Sequence, residues 1–160
     1  MIDLEDFYKM PKSLALADGY ISKTTGEPVK LTASSKIIYT YMLSKTRFFT
    51  EVLNGKHFET QKTIAKFCGL EYKSTGAILR GFLEHGIIEG KKLRPNGEGQ
   101  WRYHYFKVHS DIDLWEGGLD KFEIIKDNVK HKSVEQVEKP KQQPAVSNAY
   151  DPFDESDLPF

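Results

Sequence analysis

Residues 63–88 read TIAKFCGLEYKSTGAILRGFLEHGII, and the order of residue types in this run decides the fold. Thr60, just upstream, is a residue type that caps a helix by accepting a hydrogen bond from a first-turn amide. It opens a short helix over QKTIAKFC, with Ile64, Ala65 and either Phe67 or Cys68 facing inward. Gly69 tolerates the positive φ that a sharp turn demands, and Leu70 follows as a packing residue. From Glu71 a longer helix runs to about His85, with Ile78, Leu79 and Phe82 three and four apart as its core stripe. Gly86 ends it.

The flanks complete the pattern. Upstream, Leu31 to Leu53 reads as a long helix with Thr32 as N-cap and Ile37, Ile38, Tyr41, Met42 and Phe48 at helical spacing. Asn54-Gly55 is its stop signal, and GKHFET (55–60) is a short extended piece. Downstream, Ile87 to Leu93 reads as a strand, RPNGEGQ (94–100) as a turn and Trp101 to His109 as the returning strand. Helix, short helix, glycine turn, helix and β-hairpin in that order predict an α+β fold of the winged helix-turn-helix type. Its helical core would carry the hairpin as a wing.

With those elements placed, residues 63–88 resemble the helix-turn-helix and first wing strand of many bacterial, plasmid and phage DNA-binding proteins. The wider order also resembles the N-terminal domain of plasmid replication initiators and replisome organisers. FYKMPKSL (7–14) precedes LTASSKIIYTYMLSKTRFF (31–49), then NGKHFET (54–60), then the helix pair. In those proteins an F-x-x-x-P-K entry leads into an L-S/T-x-x-x-K-x-x-Y helix. The likeness spans about residues 7–109 and implies a DNA-binding body. Two departures stand out. Glu71 occupies the position where the second helix usually opens with a small capping residue, which sets an acid at the end that approaches phosphate. Gly76 and Gly81 lie inside the presumed recognition helix, each costing about 1 kcal/mol relative to alanine. Two explanations stay open for them: close backbone approach, or a helix that does not read bases.

A recognition helix in a major groove presents Tyr72, Lys73, Ser74, Gly76, Ala77 and Arg80. Arg80 suits a guanine edge, while Lys73 and Ser74 suit phosphates. The hairpin is the more basic feature. Lys91, Lys92, Arg94, Arg102 and Lys107 are interleaved with Trp101, Tyr103, Tyr105 and Phe106. Cations follow a phosphate backbone, and aromatic faces stack on unpaired bases at ~1–3 kcal/mol per base. Alternation sends Trp101, Tyr103 and Tyr105 to one face and Arg102, His104 and Phe106 to the other. One of these rows must pack on the helices. The DNA-contacting set is therefore taken as Tyr72, Lys73, Ser74, Arg80, Lys91, Lys92, Arg94, Trp101, Arg102, Tyr103, Tyr105 and Lys107.

Charge divides the 160 residues in two. The whole chain balances 23 basic against 23 acidic side chains. Residues 1–110 carry 17 Lys and Arg against 11 Asp and Glu, whereas residues 111–160 carry 6 against 12. A basic body suits a polyanion, and an acidic tail competes for the same surface. The chain accordingly divides into a DNA-binding domain over 1–110, a packing extension or short helix over 111–126, a flexible linker over 127–150 and an acidic tip over 151–160. The linker is rich in Lys, Gln, Glu, Pro and Ser and too poor in large apolar residues to offset the entropy of ordering. Leu114, Trp115, Leu119, Phe122, Ile124 and Ile125 are the candidate anchors of the extension, and this segment alone suits a homodimer contact.

The tip, DPFDESDLPF, holds four acids and no base. It resembles the C-terminal tip of bacterial and phage single-stranded-DNA-binding proteins, where a linker leads to an acidic run closed by an apolar residue, proline and phenylalanine. The resemblance implies replication or repair proteins as partners, through a pocket for an acidic, Phe-terminated peptide. Phe160 would be the aromatic anchor, its carboxylate pairing with a rim cation. Pro159 limits the conformations lost on docking, and Leu158 and Phe153 add apolar contacts. Asp154, Glu155 and Asp157 supply salt-sensitive attraction to a basic surface.

Several functions have no motif here. There is no G-x-x-x-x-G-K-[ST] loop, G-x-S-x-G elbow or H-E-x-x-H pair. His57, His85, His104, His109 and His131 share no metal-ligand spacing, and the single cysteine, Cys68, reads as a small apolar residue. The reading is therefore not an enzyme, with no cofactor and no metal. No run approaches the ~18 apolar residues of a membrane span, and MIDLEDFYKM (1–10) carries acids where a secretory signal is basic then apolar. The expected location is the cytoplasm, that of a bacterial host if the chain is phage- or plasmid-encoded. The expected role is a DNA-binding accessory protein of phage or plasmid replication. Two alternatives remain: a single-stranded-DNA-binding protein on a scaffold other than the OB fold, and a decoy that mimics the acidic tip to inhibit a host enzyme.

Overall fold

The computed structural model describes residues 8–94 and 102–134. The central helix α2 (Ala33–Arg47) opens at Thr32, whose hydroxyl accepts the Ser35 amide at 3.1 Å. It ends earlier than its apolar spacing predicts, in a π-helical turn over Phe48–Val52, and Asn54 then turns the chain with φ 46°. The short strand β3 (His57–Glu59) leads to Thr60, which accepts the Thr63 amide at 3.2 Å and starts α3 (Gln61–Cys68). Gly69 follows in the left-handed region at φ 66°. The Leu70 amide bonds back to the Ala65 carbonyl at 2.9 Å, closing the exposed end of α3.

Helix α4 (Tyr72–Glu84) then stops at Gly86, φ 69°, and the chain turns into β4 (Ile88–Leu93) and β5 (Arg102–Val108). The three strands form an antiparallel sheet in the order β3-β5-β4. His57 registers with Tyr105, Phe58 with His104 and Lys91 with His104. A strand between the first two helices of a three-helix core, pairing with the second strand of a hairpin that follows the third, is winged-helix topology. The order expected from sequence is therefore the order observed.

The core lies between α2, α3, α4 and one face of this sheet. Ile38, Met42, Ile64, Leu79, Ile87 and Tyr105 are fully enclosed there, each aliphatic side chain contributing about 1.5–3 kcal/mol by leaving water. A buried polar chain fastens β3 to α2. The Thr46 hydroxyl lies 2.9 Å from His57 Nδ1, His57 Nε2 lies 2.8 Å from Glu59, and the Tyr41 hydroxyl donates to Glu59 at 2.6 Å. One expected core position differs: Ile37 is exposed. Of the Phe67 and Cys68 alternatives, Cys68 packs against the core and Phe67 is exposed. Burial pushes the Cys68 thiol up to about 11, with the Glu59 carboxylate adding to the shift.

A second sheet, absent from the sequence expectation, closes the other end of the core. Strands β1 (Gly19–Ile21) and β2 (Pro28–Lys30) form a hairpin after the short helix α1 (Lys12–Leu16). Strand β6 (Leu114–Trp115) pairs with β1, giving the order β2-β1-β6. A Cβ at Gly19 would overlap the Val29 carbonyl oxygen and the Trp115 ring, so only glycine admits the indole here. Helix α5 (Gly118–Val134) follows, its start held by Asp18, which accepts the Gly117 and Gly118 amides at 2.9 and 3.0 Å.

This helix corrects the segment boundary set at residue 127. Residues 127–134 are helical, because Phe122, Ile125 and Val129, all half-buried, continue an apolar stripe at helical spacing past that point. Trp115 meets Phe122 at 5.8 Å and Lys30 lies over the Phe122 ring at 4.7 Å. Leu119 and Ile124, expected as anchors, are exposed instead. Residues 135–150 of the expected linker, the 151–160 tip, the turn and Trp101 lie outside the described residues.

Candidate nucleic-acid interface

The helix pair positions the first group of candidate contacts. Gln61, at the start of α3, donates from Nε2 to the Tyr72 carbonyl at 2.7 Å, locking the first turn of α4 to α3. A Cβ on Gly76 would overlap that same Gln61 amide. Gly76 is therefore buried and serves the close approach of the two helices. This corrects its placement among the exposed positions, and the reason for glycine here is the neighbouring Gln61 side chain. Gly81 differs, since a Cβ there meets nothing within 4 Å.

What α4 shows to solvent is Lys73, Ser74 and Ala77, with Tyr72 and Arg80 half-buried. Glu71 caps the helix through backbone position alone, without a side-chain cap hydrogen bond. Ser74 Oγ lies 3.4 Å from the Glu71 carboxylate, so the acid at this end is partly engaged by its own helix. Lys62 and Lys66 add two exposed cations four residues apart on α3. That spacing was legible in QKTIAKFC but was not read as a contact pair.

The wing divides its candidates between two faces. Tyr103 and Tyr105, expected as contacts, face the core at 8% and 0% exposure. Tyr105 registers with His57, and its ring lies 5.4 Å from the imidazole. Burial raises its hydroxyl pKa, with Tyr103 and Glu59 adding. Both tyrosines are therefore withdrawn as base-stacking residues, because their ring faces are spent on packing. Lys92 pairs with Tyr103 in the register, whereas Lys91 and Leu93 pair with His104 and Arg102. Lys91 and Arg102 thus share the solvent face of the sheet, and Lys92 is half-buried on the other side. Arg94 is exposed at the end of β4. Lys107 is exposed and 4.0 Å from Glu89, which also lies 2.6 Å from His109 Nε2.

A register irregularity between Glu89 and Gly90 leaves Phe106 without a partner on β4, and it stays on the His104 face that alternation gives it. Phe106 is 43% exposed and meets the His104 ring at 5.8 Å. His104 in turn stacks on Phe58 at 4.8 Å. Burial, then the positive charges of Lys56 and Lys91 and the neighbouring His57, lower the pKa of the His104 imidazole. The aromatic row opposite to the tyrosines is therefore exposed Phe106 with half-buried Phe58 and His104.

Among the described residues no group of three or more His, Cys, Asp or Glu side chains is placed to hold a metal ion. No described helix is long and apolar enough to cross a membrane.

No protein-family profile matches the chain, and no curated protein matches it. Among solved structures, it is similar to a possible transcriptional regulator from Methanosarcina mazei Go1. The two share 12% identity over 70% of this chain and 86% of that one, with a TM-score of 0.38.

Proposed function

We propose that the chain is a DNA-binding protein whose winged-helix body docks on duplex DNA through α4 and the wing. The observation that carries this reading is the exposed Lys73-Ser74-Ala77 edge of α4, held against α3 by Gln61 and Gly76. Such an edge fits the width of a major groove, with the first helix of the pair crossing the backbone. Lys73, Lys62 and Lys66 suit phosphates, and half-buried Arg80 lies deeper in the presumed groove. Lys92, Arg94 and Lys107 extend the cationic surface onto the wing.

The finer role we propose is an accessory function in phage or plasmid replication. The acidic DPFDESDLPF segment would recruit a replication or repair protein and compete with DNA for the body's cations. Two weak contacts on one tether raise the effective concentration of partner and DNA without any new interface.

Fluorescence anisotropy with a labelled duplex across a salt series tests both statements, using the full chain and a version ending at Tyr150. The expected result is binding that weakens steeply with salt, by about 0.9 in log–log slope per phosphate contact. Removal of the acidic segment should tighten it. A salt-independent signal, or none from either version, contradicts the duplex reading. Equal affinity of the two versions contradicts the competing tail.

A further inference from the structure

The solvent face of the β3-β5-β4 sheet carries a pattern that duplex docking on α4 does not use. Across the three strands Phe58, His104 and Lys91 stand in one register row. Arg102 stands two residues along β5 from His104, and Phe106 two residues along in the other direction. Continuing the β3-β5 register one step beyond His57 and Tyr105 sets Lys56 beside Phe106. Three rings, His104 meeting Phe58 at 4.8 Å and Phe106 at 5.8 Å, are thus framed by three cations. Lys56, Lys91 and Arg102 are all exposed and form no ion pair among the described residues. The helices of the core pack on the opposite face of the sheet, where Tyr103, Tyr105 and Ile88 are buried.

We infer that this face binds single-stranded DNA, with unpaired bases stacking on Phe106 and on the Phe58–His104 pair while Lys56, Lys91 and Arg102 hold the phosphates. Open sheet faces with exposed rings stack bases in this manner, since every base has a π-face and side chains two residues apart along a strand are separated by about 6.5 Å. The charge arrangement favours a polyanion over an apolar protein partner, because a docking protein would have to desolvate three unpaired cations. Burial, then Lys56 and Lys91, lower the pKa of His104 and so favour its neutral ring. The inference rests on the duplex reading only in taking DNA as the ligand, since the residues belong to another face.

The test uses the full chain with a labelled oligothymidine of about 16 nucleotides and a duplex in parallel. Phe106→Leu and Phe58→Leu should each weaken oligothymidine binding roughly tenfold while leaving duplex affinity within about twofold. Phe106→Trp, which keeps a ring, should bind at least as tightly as the parent. Circular dichroism of each variant shows whether the fold is retained, and exposed Phe106 makes its replacements the decisive pair. Oligothymidine binding unaffected by Phe106→Leu, or lost in both Phe106→Leu and Phe106→Trp, overturns the inference. Duplex binding without any oligothymidine binding overturns it and leaves the duplex reading standing. Oligothymidine binding without duplex binding does the reverse.

Discussion

The two glycines of α4 respond differently to the same added methyl. At Gly81 a Cβ meets nothing within 4 Å, so Gly81→Ala gains the helix propensity of alanine, about 0.8–1 kcal/mol, at no steric cost. At Gly76 the same gain is available, but the new Cβ overlaps the Gln61 amide. Gln61 must swing away, and its 2.7 Å bond to the Tyr72 carbonyl is lost. That bond is worth about 0.5–1.5 kcal/mol net, and its loss offsets the propensity gain, because the swing of the flexible Gln61 side chain relieves the overlap itself. Gly76→Ala is therefore close to neutral, and the two variants differ by the lost bond, about 0.5–1.5 kcal/mol. Urea unfolding followed by circular dichroism measures the difference directly, provided the slope stays that of the parent. Equal upward shifts of both midpoints would refute the reasoning, since Gln61 would then be moving aside freely and α3–α4 contact would not be the reason for glycine at 76.

Three further outcomes follow from the packing. Gly19→Ala should destabilise by ~3 kcal/mol or more, because the Cβ meets a backbone carbonyl and the Trp115 ring rather than a flexible side chain; a midpoint within error of the parent contradicts the β1-β6 contact. Tyr41→Phe removes a donor from Glu59 and should cost ~1–3 kcal/mol in thermal or urea unfolding; an unchanged midpoint means the buried polar chain does not fasten β3. Asp18 has its carboxyl pKa held low by the Gly118 and Gly117 amides. Its contribution is complete above the ordinary carboxylate value of about 4 and is lost as pH falls through the depressed folded value. Protection factors along α5, taken against the intrinsic rate at each pH, should therefore fall on acidification below about pH 4, and Asp18→Ala should show the lower protection at neutral pH already. Identical protection in variant and parent at pH 7 contradicts the cap.

Local chemistry made the helix-turn-helix legible in the sequence. Thr32, Thr60, Gly69 and Gly86 each act on residues within one turn, so their types announce their positions. Non-local pairing left no such mark. Gly19–Ile21 and Pro28–Lys30 are three residues each, too short for a period-two pattern, and β6 finds its partner β1 more than ninety residues away in the chain. Period two also sorted the wing aromatics correctly into two rows without deciding which row faces the helices. Burial settled that in favour of Tyr103 and Tyr105, which leaves Phe106 outward on the His104 row. The extension of α5 to Val134 was present in the spacing of Phe122, Ile125 and Val129, yet the polar residues between them outweighed it in a reading by composition.

Lysine reactivity footprinting of the full chain with and without duplex DNA addresses the central claim most directly. Lys73 on α4 and Lys92 on the wing should lose reactivity in the complex. Lys23, paired with Asp111 at 3.2 Å, and exposed Lys121 on α5 should keep theirs. Protection of Lys121 and Lys23 with Lys73 left reactive would place DNA on the β1-β6 side of the molecule and contradict docking through the helix pair.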